Sequence, residues 1–116
     1  MIEELITKIF CARNCAHQQH WLTGSYAEHS ALGDFYTDVI DLLDNFVEVH
    51  QGNFGKIDSV DFDCECKPII KHLEDDIKWI DKNYKSLSGS VTALQNILDE
   101  IVALYLKTIY KLRFLK

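Results

Sequence analysis

The sequence has no apolar run near the roughly 18 residues that span a bilayer. Its first residues, MIEELITKIF, carry two glutamates where a secretory leader carries positive charge. Both absences predict a chain that stays in the cytoplasm and away from membranes. An excess of positive charge is also missing. Twelve Lys and Arg face eighteen Asp and Glu, a net charge of -6. Binding to nucleic acid phosphates is therefore disfavoured. The one basic cluster, Lys107, Lys111, Arg113 and Lys116, suits the end of a helix, where positive charge complements the dipole. There is no G-x-S-x-G, no phosphate-cradling glycine loop and no Cys–His pair with a third partner, so nothing predicts nucleophilic catalysis or phosphate binding. Strand signals, internal repeats and low-complexity tracts are absent too.

What is present fits one helical domain over residues 1–116. Hydrophobic residues make up 47%, enough for a core without staples. A first helix is predicted from about Ile2 to Trp21, on the spacing of Ile2, Leu5, Ile6 and Ile9. Thr23-Gly24-Ser25 stops it. Ser25 with Glu28 three residues on reads as a capping box opening a second helix, Tyr26 to about Val49. Gly52 to Lys67 has no helical period and is long for a connection. A third helix starts near Pro68, a residue suited to the first turn. Ser86 to Gly89 reads as a turn, and Ser88 or Ser90 as the cap of a fourth helix. Two tight pairs joined by a long crossover give an all-α, ferritin-like four-helix bundle, with the crossover between helices 2 and 3.

The four cysteines fall as Cys11/Cys15 and Cys64/Cys66. Neither spacing is a C-x2-C knuckle and the pairs are far apart, so zinc at these residues is disfavoured. Reduced, ordinary thiols are expected in a cytoplasmic chain. His50 and His72 read as solitary.

The stretch from His20 to Glu48 is the most loaded one. His20 precedes Trp21, His29 follows the turn, and Asp44 and Glu48 lie one helical turn apart further on. This pattern resembles the Dps-like mini-ferritins. It also resembles a small phage-associated ferritin-like family, through His20 to Gly55 and Asp99 to Leu112. The mini-ferritin resemblance implies an iron site at a twofold interface, with His20 and His29 from one subunit and Asp44 and Glu48 from its neighbour. Ferroxidase activity would follow from an open coordination position. The phage resemblance implies a host cytoplasm. Two departures stand out. The turn between the histidines is shorter than in mini-ferritins, and Gly33 stands where the family has an acid, with Asp34 as the nearest substitute. The bundle-internal di-iron motif, Glu-x-x-His, does not occur in the sequence. The plainer reading is a solvated acidic face and a histidine contact at a helix junction, in a non-catalytic structural or interaction module that binds no metal.

Helix 2 also predicts self-association. Tyr36, Ile40, Leu43 and Val47 lie beside its main apolar stripe. Left uncovered they would form a patch that soluble monomers rarely carry. A homo-oligomer is expected, at least a twofold dimer through helix 2. Cover by the first helix or by the crossover is the alternative.

Overall fold

The structure, a computed structural model that describes residues 1–116, consists of α1 (Ile2–Leu22), α2 (Tyr26–Phe54), α3 (Ile69–Ser88) and α4 (Thr92–Phe114). There is no strand. No helix is long and apolar enough to cross a membrane. α2 packs on α1 and α4, and α3 packs on α4 and α1.

Cross-helix contacts fix the directions. His17 lies on Tyr36 and His20 on His29, so α1 and α2 are antiparallel. Lys111 meets Asp34 while Phe54 meets Gly89, so α4 runs against α2. Tyr84 meets Asp99 and Arg113 meets Glu74, so α3 runs against α4. The order is up, down, down, up. That order obliges the connection between α2 and α3 to travel the length of the bundle, as the sequence predicts.

One hydrophobic cluster fills the centre. Leu5, Ile9, Leu32, Phe35, Phe46, Leu73, Leu98 and Tyr105 are all fully buried in it. Each buried side chain of this size contributes roughly 1.5–3 kcal/mol before entropy is counted. Much of the broad apolar arc of α2 is covered inside the chain. Leu43 is buried, and Tyr36, Ile40 and Val47 are partly buried against the core. α1 and α4 cover most of the arc, and Ile57 and Val60 of the crossover pack beside it. The patch that motivated a dimer through helix 2 is therefore largely covered by the chain's own residues, with an open groove left beside Val47.

Three local readings change. α2 runs past Val49 to Phe54, five residues beyond the expected end. The capping box is half formed. Ser25 Oγ accepts the Glu28 N–H at 3.2 Å, but the Glu28 carboxylate accepts from Gln19 instead. Ser88 does not cap α4. It ends α3, buried, and donates its hydroxyl to the Tyr84 carbonyl, while Val91 holds the N-cap position without a side-chain bond. Gly89 sits at φ 58° and ψ -138°, a positive-φ conformation that glycine adopts far more readily than other residues.

The crossover, residues 55–68, is held from outside. No backbone–backbone hydrogen bond involves residues 56–67. Its amides and carbonyls lean on side chains of the bundle. Ile57 N–H donates to Gln51, Asp58 N–H donates to Glu3, and Thr7 donates to the Asp61 carbonyl. Phe62 stacks edge-on to Phe10. The segment thus starts in the α1–α2 groove and passes over α1 to reach α3.

Candidate functional sites

The two predicted nitrogen ligands do meet. His20 and His29 lie face to face with ring centroids 3.7 Å apart. His20 Nδ1 donates to the His29 carbonyl at 2.6 Å, and His29 Nδ1 donates to the His20 carbonyl at 2.8 Å. A carbonyl only accepts, so the proton of each neutral ring is on Nδ1 and the Nε2 lone pair is free. The second bond also satisfies a carbonyl in the last turn of α1, where helical partners run out. The pair therefore fastens the α1–α2 junction.

Gly33 explains its own identity. A Cβ there would meet His20 Cε1 at 3.2 Å, tighter than ordinary contact. The position that carries an acid in the mini-ferritin pattern here makes room for an imidazole ring. Asp34 does not take over, because its carboxylate pairs with Lys111 of α4 at 3.5 Å. Asp44 and Glu48 do not reach the histidines either. Fifteen residues separate His29 from Asp44, about 22 Å along a helix. The two acids line an open groove of about 410 Å³ with Ile6, Phe10, Val47 and Val60. One chain alone brings together two of the five predicted ligands, His20 and His29.

Around the histidines lies a surface that sequence reading did not assemble. Trp21, Leu22 and Tyr26 are 68%, 71% and 74% exposed at the elbow between α1 and α2. Trp21 packs on His17 at 4.2 Å, His17 stacks on Tyr36 at 3.9 Å, and the Arg13 guanidinium lies over Tyr36 at 5.5 Å. Burial lowers the His17 pKa, and the Arg13 charge adds to this.

A second site sits where the crossover meets α1 and α3. Cys11 is bonded to Cys64 and Cys15 to Cys66. The expectation of unpaired thiols fails here. The reason is a match of rises. Four residues of helix advance about 6 Å, and two residues of extended chain advance about 6.6 Å. A C-x3-C on α1 is therefore in register with a C-x-C on a strand-like segment beside it. His72, expected to be solitary, is buried against this cluster, with a ring nitrogen within 4.8 Å of the Cys11 and Cys15 sulfurs. Its Nδ1 accepts the Lys67 N–H at 3.4 Å. Burial lowers its pKa, with the Lys67 charge next. Asp76, one turn on, also lines this pocket and accepts the buried Tyr105 hydroxyl at 2.8 Å. Burial raises the Asp76 pKa to about 6. The signal for Asp76 was available: it falls on the core line Leu73, Asp76, Ile80 of α3, at i, i+3, i+7.

Comparison with known proteins agrees with the phage-associated part of the resemblance. The chain is 27% identical over 115 residues, 95% of its length, to the uncharacterized 14.6 kDa protein in the mobD-ri intergenic region of Enterobacteria phage T4, of which it covers 86%. No solved structure matches it. A family of unknown function, DUF5856, matches residues 20–112, which run from the first clasp histidine to the last turns of α4, and the chain belongs to that family.

Proposed function

We propose that this protein is a helical interaction module that works by binding another protein surface at the α1–α2 elbow, without turnover. One observation carries the reading: Trp21, Leu22 and Tyr26 are exposed together beside a prearranged Arg13–Tyr36–His17–Trp21 stack. Trp, Tyr and Arg are the residues that dominate interface energetics. Rings already held against one another lose little freedom on binding. The net charge of -6 argues against nucleic acid as the partner.

The test is a photo-crosslinking residue placed at Tyr26, with a second at exposed Asp81 on α3 as control, in cells where the protein is naturally made. A discrete adduct from position 26, absent from position 81 and lost on Trp21→Ala, is the expected result. A self-adduct identifies the partner as a second copy. No adduct, or the same adducts from both positions, overturns the reading.

A second reading follows from the free Nε2 atoms of His20 and His29. It is an iron site completed by Asp44 and Glu48 of a second copy, with ferroxidase activity. The stacked rings would have to splay, because face-to-face rings hold their lone pairs side by side. Fe(II) added in air should then give ferric absorbance faster than with the His20→Ala/His29→Ala variant. Equal rates remove this reading and leave the elbow untouched.

A further inference from the structure

We propose that Cys11, Cys15, Cys64 and Cys66, when reduced, form a tetrathiolate site for zinc, and that the two disulfides are its oxidised, metal-free form. The geometry carries it. Beyond the bonded pairs, Cys11 and Cys15 sulfurs are 3.9 Å apart, and Cys15 and Cys64 sulfurs 3.8 Å. Four sulfurs at about 2.3 Å from one zinc ion stand about 3.8 Å from each other. Two of the edges of that tetrahedron are therefore already set. Opening the two bonds lets the other sulfurs take up the same spacing.

The supports are of two kinds. Cys11 and Cys15 are buried on one face of a rigid helix, whereas Cys64 and Cys66 are exposed on a segment that has no ladder of its own. The fixed half positions ligands and the loose half closes on the ion. Around them, the pocket is lined by Lys8 and Lys67 and by the carboxylates Asp63, Glu65 and Asp76, with Lys67 paired to Asp75 at 2.9 Å. The buried His72 ring has a nitrogen within 4.8 Å of the Cys11 and Cys15 sulfurs, and its Nδ1 accepts the Lys67 N–H. Four protein ligands with no open position make a structural site rather than a catalytic one. Its work would be to pin the crossover to α1.

The chemistry balances with a dithiol or phosphine as reductant. The two disulfides together take up four electrons and four protons and become four thiols, while two dithiols are oxidised to disulfides or two phosphines to phosphine oxides with oxygen from water. Zinc binding then releases the thiol protons to solvent.

The experiment uses the full chain reduced with a phosphine, then titrated anaerobically with Co(II), a coloured stand-in for zinc. The expected result is one Co(II) per chain, with thiolate charge-transfer bands and the visible bands of a tetrahedral site. Zinc should displace it and raise the melting temperature. The oxidised chain should bind none. Cys64→Ser/Cys66→Ser alters only the exposed crossover, so circular dichroism should still show a folded bundle while the cobalt spectrum is lost. If that variant does not fold, protection of all four wild-type thiols from alkylation by zinc gives the same answer. A reduced, folded chain with no cobalt–thiolate bands overturns the proposal, as does a spectrum unchanged in the serine variant.

Discussion

Removing both disulfides, by Cys64→Ser/Cys66→Ser studied without reductant, is expected to lower stability by at least about 4 kcal/mol. The bridges join residues 53 and 51 apart. Closing a loop of that length in the unfolded chain costs conformational entropy worth about 4 kcal/mol in the chain-entropy model. That is a large share of the 5–15 kcal/mol typical of a domain. For a chain of 116 residues it corresponds to a drop in melting temperature on the order of 15 °C. The two bridges should not contribute equally when removed in sequence. Either one alone already closes the long loop. The second then closes only the short ring between positions 11–15 and 64–66, worth about half as much. Cys11→Ser/Cys64→Ser should therefore cost clearly less than half the loss of both. Denaturant titrations of the two variants decide it. Losses that simply add would mean that the bridges act through local packing and not through loop closure.

The fold was legible and the sites were only partly so. Helix stripes such as Leu94, Leu98, Ile101 and Tyr105 on α4 repeat at a period that leaves little choice, and the long glycine-bounded gap sets the topology. The ends of helices were less legible. α2 continues through Gly52 to Phe54, although a glycine there reads locally as a helix stop. The histidine pair could be found because both members flank one turn. Its role could not, because the reciprocal Nδ1–carbonyl bonds depend on how two helix ends meet. The cysteine cluster was hidden for a different reason. Neither pair has the spacing of a single-loop metal knuckle, whereas the structure sets the helix spacing of one pair against the crossover spacing of the other. The match lies in rise per residue on the two segments and not in residue number.

Replacing Tyr105 with phenylalanine is expected to cost about 2 kcal/mol near pH 7 and about 1 kcal/mol near pH 4. Asp76 and Tyr105 are both buried in the α3–α4 interface, with the hydroxyl donating to the Asp76 carboxylate at 2.8 Å. Burial raises the Asp76 pKa from 3.8 to about 6, and the Tyr105 bond pulls it back part of the way. Nearby charges are Lys8 and Lys67, which favour the carboxylate, and Asp75, which opposes it. The sign follows from proton counting. Between pH 3.8 and about 6 the folded chain binds more protons than the unfolded one. The stability due to Asp76 is therefore fully present below 3.8 and lost as pH rises through about 6, a change of about 3 kcal/mol. At pH 7 the wild-type protein thus holds a buried carboxylate whose only side-chain donor is Tyr105. Tyr105→Phe leaves that charge without the donor, which is where the cost arises. It also moves the pKa further up, so the fall in stability should extend to higher pH than in the wild type. Asp76→Asn separates the two effects. The amide oxygen still accepts the hydroxyl, and no charge is buried. That variant should be at least as stable as the wild type at pH 7 and should lose the pH dependence between 4 and 7 that belongs to Asp76. Thermal melts of the three proteins at pH 4, 5.5 and 7 give the comparison. A Tyr105→Phe penalty that is the same at every pH would mean that lost packing, and not the buried charge, sets the role of this pair.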